Sequence, residues 1–498
     1  MSYILGAFRY LFKFFFVLAV LLLVFTVIVI AMTMNFDINK HKDTIQEAFN
    51  RETGLELLLN GPIQAEYFPE PNVHFSRVEI TNRSKGSKFK LNIDDAEVNI
   101  NFFSLFGDII KVNSFNARDV DIQLIDGQNT KLDFKIDSFS GQVLSSYREI
   151  SIPTFTLKSG NNEVIGDFKL MLLSQYPIVN GNFSSRQFNI DVNDPKLPLP
   201  GKLFSSKSFA MEWIDNLTGE INWHFDNLFI GVLSIEDTDI QVTFKDKILE
   251  MVPRGKVASG DLSGKIQVQK RDNDFVITSQ LQIKNGIASE FFQQFWKNAA
   301  LLNGKLDIEF DGKMRGTNLA SWMSHLTGRM LLSIKNMQIQ DRDIDSRYVD
   351  VFAALWKSLN PSKKGTSLEC VAMLLKAEDG QVKAKETIAM QTGDIYALGG
   401  GGLDLKKETV DLTFDLYPRS QLNIGVGSID QVIHLRGSLS KPEFVMSPKG
   451  FIKEGGSLLT GIATSGVSIL AQKMLKIVNQ KSSPCQQVMA EAFEETND

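Results

Sequence analysis

Apolar and polar residues alternate with a period of two along most of this chain, and no other feature constrains its fold as strongly. Val73 and Phe75 stand between polar neighbours, and Phe89, Leu91 and Ile93 repeat the pattern. After Asp94-Asp95 the phase slips by one residue, and Ala96, Val98, Ile100 and Phe102 carry it on. It returns at Val120, Ile122 and Leu124, at Leu132, Phe134 and Ile136, and at Ile221, Trp223 and Phe225. Further on come Leu306, Ile308 and Phe310, then Leu332 and Ile334, then Val410, Leu412, Phe414 and Leu416. Such alternation marks strands with one apolar and one wet face. Asp126-Gly127, Ser159-Gly160-Asn161, Asp379-Gly380 and Thr392-Gly393-Asp394 supply turns between them. Twenty or more strands at about 4.8 Å spacing would make a single sheet of roughly 100–120 Å. A sheet so long must curl, split or fold on itself. A lengthwise curl gives a trough with an apolar floor, whereas several sandwiches in a row would show the same periodicity.

A second feature is an apolar run. The nineteen residues from Phe14 to Met32 carry no charge. As a helix they reach about 29 Å, close to a hydrocarbon core of about 30 Å. The run is longer than the core of a cleavable signal peptide, and Ala31-Met32-Thr33 is a poor cleavage site. The reading is a transmembrane helix over 14–34, with residues 1–13 as a cytoplasmic tail. Arg9 and Lys13 before it, against Lys40 and Lys42 after it, leave the positive-inside bias weak. A short tail with two cations most simply stays in the cytoplasm and places the bulk on the far side.

Helical patterns are few. Asp37 to Glu52 puts Ile45, Ala48 and Phe49 on one face. Ser289 to Leu302, Leu319 to Leu326 and Ser346 to Leu359 follow, and Ser457 to Val478 reads as an amphipathic tail helix. The expected fold is therefore mainly β. An N-terminal transmembrane helix precedes an elongated, curled antiparallel β-sheet groove with a few short helices and a C-terminal amphipathic helix. Residues 37–285 and 286–450 form two parts of that groove, and 451–498 a helical tail.

Catalytic patterns are scarce. His41, His74, His224, His325 and His434 are scattered, with no metal spacing among them. There is no nucleophile elbow and no phosphate loop. The run Gly399 to Gly402 precedes strand-like Leu403-Asp404-Leu405, so a tight hairpin or bulge is expected there. Asp341, Asp343 and Asp345 lack the Gly and distal Glu of an EF-hand loop and read as a solvated turn. The expectation is no enzyme, no metal and no cofactor. A net charge of −5 with no basic stripe argues against a nucleic-acid partner. Cys370 and Cys485 are the only cysteines. They either pair or stand as independent thiols.

Particular residues resemble a known family. Thr53-Gly54-Leu55, Asn60-Gly61-Pro62-Ile63 and Phe68-Pro69-Glu70-Pro71 lead into Val73 to Asn82. Then come Ala96-Glu97-Val98, Phe103 to Asp108, Val112 to Phe115 and Val120-Asp121-Ile122. This order is similar to the N-terminal region of AsmA-family proteins. Leu326-Thr327-Gly328, Gly400 to Leu405, Leu435 to Pro442, Pro448 and Cys485 resemble the same family's C-terminal third. The resemblance covers roughly 1–125 and 290–490. It implies a single-pass protein of a Gram-negative inner membrane with its bulk in the periplasm, a compartment that favours a Cys370–Cys485 disulfide. It also implies a bridge-type lipid-transfer protein with a hydrophobic β-groove, serving phospholipid transport and outer-membrane biogenesis. The chain is short for a bridge across the periplasm.

Pattern and resemblance together point to passive conduction of phospholipids. The groove floor is expected to include Phe75, Val98, Ile100, Phe102, Ile122, Leu124, Phe134, Leu412 and Phe414. The partners are then phospholipids, the inner membrane, and the outer membrane or its assembly proteins. The alternative is a membrane-tethered scaffold or regulator of outer-membrane protein assembly.

Overall fold

The computed structural model describes residues 38–53, 55–66, 72–82, 88–101, 110–125, 131–146, 149–171, 177–190, 202–206, 208, 217–271, 274–295, 301–339, 366–393, 395–418, 431–448 and 483–494. The expected span 14–34, the helices at 346–359 and 457–478, and the Asp341 to Asp345 stretch lie outside these residues. Among the described residues no helix is long and apolar enough to cross a membrane. They are mainly strand, and they fall into two compact units. Residues 1–193, 209–231 and 236–251 form an N-terminal unit, and residues 194–208, 232–235 and 252–498 a C-terminal one. The division between these units falls near 251, and residues 285 and 286 lie inside the strand Asp274–Ile287.

The N-terminal unit opens with a 3₁₀ turn, Ile38–His41, and helix α1, Lys42–Thr53. Strands β1 (Leu55–Leu59) and β2 (Ile63–Glu66) both pair with one side of β3 (Asn72–Asn82). Next in order are β4 (Lys88–Ile100), β5 (Ile110–Ile125), β6 (Lys131–Ser146), β7 (Glu149–Ser159), β8 (Asn162–Met171) and β9 (Ile178–Ile190). Each pairs antiparallel with its predecessor. The next pairing departs from the wholly antiparallel expectation: β10 (Thr218–Ile230) runs parallel to β9. The cause is the connection. A tight hairpin forces antiparallel pairing, but the long crossover from 191 to 217 lets the chain re-enter in the same direction. β11 (Leu233–Lys245) and β12 (Ile248–Val257) follow.

The phase slip read at Asp94-Asp95 is a crease shared by four strands. In β4 the buried positions change from Leu91 and Ile93 to Ala96 and Val98. In β3 they change from Phe75 to Val78, in β5 from Ala117 to Val120, and in β6 from Ile136 to Phe139. Arg77 and Asp119 take left-handed backbone, with φ of 53° and 50°. One such residue in a strand returns the apolar positions to the same face, so the sheet keeps one greasy side across the irregularity.

Helix α1 protects the first edge. Phe49 is fully buried and Ile45 is 8% exposed. Polar side chains on this segment replace a missing neighbour strand. Gln46 Oε1 accepts from the Leu59 N–H at 2.8 Å. Asn39 Oδ1 accepts from the Ile63 N–H at 3.0 Å, while its Nδ2 donates to the Ile63 carbonyl at 2.9 Å. Lys42 donates to the Gly61 carbonyl between them. An edge so satisfied offers no template for another strand. Replacing Asn39 and Gln46 together by Ala should cost about 1 kcal/mol per lost hydrogen bond. Hydrogen exchange should then speed up at Leu59 and Ile63. Unchanged protection there would show that α1 does not close the edge.

The C-terminal unit carries β13 (Gly260–Arg271), β14 (Asp274–Ile287), helix α2 (Ala288–Phe295), β15 (Leu301–Gly316) and helix α3 (Leu319–Ser324). It continues with β16 (Thr327–Ile339), β17 (Thr366–Glu378), β18 (Gln381–Thr392), β19 (Ile395–Asp404) and β20 (Thr409–Pro418). β21 (Gln431–Ser438), β22 (Lys441–Pro448) and helix α4 (Pro484–Glu494) complete it. From β13 to β22 every strand pairs antiparallel with the next. One expectation needs correcting. The helix expected from Ser289 to Leu302 is described as α2 to Phe295, and Leu301 and Leu302 already belong to β15, Leu301 pairing with Ile339. Of the hairpin or bulge expected at Gly399 to Gly402, the bulge is found: the run lies inside β19, opposite a register irregularity in β18. Its reason is close packing: a Cβ on Gly399 would sit 2.5 Å from the Phe414 ring.

Candidate functional site

Residues directly opposite on paired strands share a face, so the register shows which side chains stand in line. In the N-terminal unit one line runs Val73, Val98, Phe115, Gly141, Phe155, Gly166, Phe183 and Trp223. A flanking line holds Ile63, Phe75, Ala96, Ala117, Phe139 and Leu157. Glycines make room for rings. A Cβ on Gly166 would lie 2.8 Å from the Phe183 ring, besides meeting the Asn182 carbonyl at 2.2 Å. The rings touch in series, with centroids 5.9 Å apart for Phe115–Phe139 and Phe139–Phe155, and 5.5–5.6 Å for Phe155–Phe183 and Phe183–Trp223. Trp223 satisfies its indole by donating to Ser185 Oγ at 3.1 Å. This face is a packed aromatic spine.

The expected floor residues fall on it as follows. Phe75, Val98 and Ile122 share the face and are 6%, 5% and 1% exposed. Ile100, Leu124 and Phe134 belong to β4, β5 and β6, but their side chains lie outside the described set, as does Phe102 altogether. The reverse of the sheet is wet. Lys135–Asp121, Lys90–Glu79 and Lys169–Glu149 form ion pairs there. Exposed pairs of this kind contribute at most about 1 kcal/mol each, and they mark which side faces water.

The C-terminal unit has a longer and looser line. Leu262, Ile283, Ile308, Leu332, Met373, Ile388, Gly399, Phe414, Ile433 and Met446 stand opposite one another in turn across all ten strands. At about 4.8 Å per strand its contour is about 40 Å. Leu262, Ile283, Ile308, Met373 and Phe414 are only half-buried, between well-buried Leu332, Ile388 and Ile433. Leu412 and Phe414, both expected floor residues, lie here, and Leu412 is 9% exposed. A parallel line of Leu281, Phe310, Met330 and Leu375 is half-buried too. Half-exposed apolar side chains in an unbroken row offer water a surface that a flexible apolar ligand would cover.

The opposite face of this unit is built differently. Helix α4 packs Val488 and Ala492 on Leu331, Ala372, Leu374, Ala389 and Leu398. Cys485 on α4 is bonded to Cys370 on β17. Arg329 donates to the Ala492 carbonyl at 3.2 Å, near the negative end of the helix. A cleft of about 360 Å³ has a mixed lining that includes Lys265, Gln280, Glu309, Asp311 and Arg329 together with Leu281, Phe310 and Leu331. Among the described residues no group of His, Cys, Asp or Glu is arranged to hold a metal ion.

Two histidines respond oppositely to pH. His434 is 6% exposed beside the Thr413 hydroxyl. Burial, and then the nearby Arg436, push its pKa below the ordinary 6.5. Its neutral form therefore stabilises the fold above pH 6.5, and that contribution fades as pH falls through the folded pKa. His224 bonds Asp239 at 2.8 Å and Asp226 at 3.3 Å. The Asp239 hydrogen bond raises its pKa above 6.5, so its contribution is complete below that value and fades as pH rises. NMR titration should find His224 protonating at higher pH than His434. The reverse order would contradict both placements.

The two lines of the N-terminal unit begin in a stretch that matches a known family. Residues 8–158 match the model of the AsmA family, from ahead of the described residues into β7. In its N-terminal part this chain is similar to AsmA-family proteins. No curated protein matches it. The AsmA match includes the crease through β3 to β6 and the first half of the aromatic spine. The line of the C-terminal unit lies beyond the matched AsmA residues, as does the family resemblance read at 290–490.

Sequence reading passed over two parts of this arrangement. Helix α4 carries its own start signal. Ser483 Oγ accepts from the Gln486 N–H at 3.2 Å, and Gln486 Oε1 accepts from the Ser483 N–H at 3.1 Å, with Pro484 as the first helical residue. The four residues Ser483-Pro484-Cys485-Gln486 thus spell a capping box, legible in advance. The Phe-over-Gly alternation of the spine had no such signal, since its members come from different strands.

Proposed function

We propose that this AsmA-like protein holds phospholipid acyl chains on the apolar faces of its sheets and conducts them passively in the bacterial envelope. In this reading it is anchored in the inner membrane by residues 14–34, with its bulk in the periplasm, and it supports outer-membrane biogenesis. It performs no catalysis and uses no cofactor. The observation that carries the proposal is the half-exposed line from Leu262 to Phe414 in the C-terminal unit.

The physics is simple. Each methylene exposed to water costs about 0.8 kcal/mol, so a lipid of two long chains does not leave a bilayer unaided. A contour of about 40 Å exceeds the roughly 15 Å depth of one leaflet, so a chain laid along the line would stay covered while it moves. Because successive positions are chemically alike, no single one traps the chain. The family match supports an envelope role in lipid transfer or assembly, and the line supports the lipid.

Native mass spectrometry of the full chain, extracted in mild detergent, tests this. Bound phospholipid is the expected result. A chain that comes off the column free of lipid would instead be an assembly scaffold.

A further inference from the structure

We propose that one end of the C-terminal unit, formed by helix α2 and its neighbours, is a contact surface for a phospholipid bilayer. This rests on the reading that the apolar line holds acyl chains, and it names where they enter or leave.

The two ends of these strands are finished differently. At the end where β15 meets β16, helix α3 and Leu326 fold against the apolar face. A Cβ on Gly312 would lie 3.1 Å from Leu326 and 2.6 Å from the Phe310 ring. Trp322 is 4% exposed and donates to the Gly316 carbonyl at 2.9 Å. The stretch 202–206 then docks on top. Ser205 accepts from the Ala320 N–H at 2.9 Å, and the Leu203 N–H donates to the carboxylate of Glu408, itself 4% exposed. Every polar group named here has a partner inside the protein, so the polar side of this end is finished, with Leu203 as its one large apolar side chain exposed among the described residues.

The α2 end is not. Among the described residues five large apolar side chains are exposed: three belong to this end, Val232 at 55%, Phe295 at 45% and Leu302 at 37%, one to the α3 end, Leu203 at 50%, and one, Ile165, to the N-terminal unit. Gln294 ties them together by accepting from the Ser234 N–H at 2.9 Å, which sets the tip before β11 beside the last turn of α2. Leu302 lies in the first turn of β15, just past that helix. Leaving apolar groups at a hairpin tip and a helix end costs solubility unless something covers them.

What covers them is indicated by continuity. The Phe295 ring lies tilted against Phe291 with centroids 5.3 Å apart, and Phe291 meets Phe292 edge-to-face at 5.6 Å. Phe291, Phe292 and Leu301 pack in turn on the cluster containing Leu306, Leu332 and Ile334, and Ile308, Met373 and Phe414 pack on the same cluster. The exposed tip is thus the outer end of the surface assigned to the acyl chains. A bilayer suits it, because an acyl chain leaving the membrane would step from lipid to Phe295 and on to Ile308 without meeting water. Aromatic rings at a rim are the side chains that settle at the headgroup boundary.

Cys370 and Cys485 are bonded, so a single added cysteine takes a label uniquely. The test uses the full chain in phospholipid nanodiscs with a polarity-sensitive fluorophore on Phe295→Cys, on Val232→Cys, and on Leu203→Cys at the finished end. Spin-labelled phospholipid is supplied in the disc or in added phosphatidylcholine–phosphatidylglycerol vesicles. Quenching of about twofold or more at 295 and 232, with little at 203, is expected in at least one arm. No quenching at 295 and 232, or equal quenching at all three, overturns the contact surface. Native mass spectrometry of the same sample reports lipid occupancy separately, so the contact surface can fail while the acyl-binding reading stands.

Discussion

Serine in place of Cys485 is expected to lower the stability of the C-terminal unit by about 4 kcal/mol, the largest effect of any single substitution outside the apolar core. The bond closes a loop of 115 residues, and the chain-entropy relation assigns a loop of that size about 4–5 kcal/mol. Packing also seats helix α4. Val488 and Ala492 cover Leu331, Ala372 and Leu374, all under 9% exposed, and Arg329 caps its far end. An eleven-residue helix is marginal in water by itself. Denaturant unfolding of the oxidised and reduced protein should reproduce the serine variant's loss on reduction. Identical curves before and after reduction would show that packing alone seats α4.

Aspartate at both Met373 and Ile308 is expected to reduce co-purified phospholipid at least about tenfold while the unit still folds cooperatively. The two effects separate because these side chains are half-buried at the margin of the cluster they pack on, where a charge keeps part of its water. Covering a carboxylate with an acyl chain costs several kcal/mol, and each 1.4 kcal/mol is about tenfold in affinity. The contrast is Ile433→Asp in the same line. Ile433 is fully buried, so a charge there should unfold the unit and not merely empty it. Retained lipid in the Met373/Ile308 double variant would remove the line from the mechanism.

Much of this architecture is legible in the alternation itself. Leu91 and Ile93 giving way to Ala96 and Val98 showed where β4 creases, because a strand that keeps one buried face must shift phase at an irregular residue. The same alternation placed Phe75, Val98, Ile122, Leu412 and Phe414 on apolar faces. Alternation carries no information on strand order, however. That β10 lies parallel to β9 depends on where a long crossover re-enters. That Phe155 sits against Gly166 depends on which strands are neighbours. Nor does the period say how tightly a face is packed. Phe155 and Phe414 look alike in sequence, yet one is 1% exposed within an aromatic stack and the other is half-open. The functional difference between the two units lies there.

Photo-crosslinking at adjacent positions of β15 and β17 tests the acyl-binding line most directly. A photoreactive side chain at Ile308 or Met373 should capture phospholipid, whereas one at Glu309 or Ala372, on the other face, should not. Equal capture at neighbouring positions, or none at any of them, would contradict the claim that lipid lies along this row.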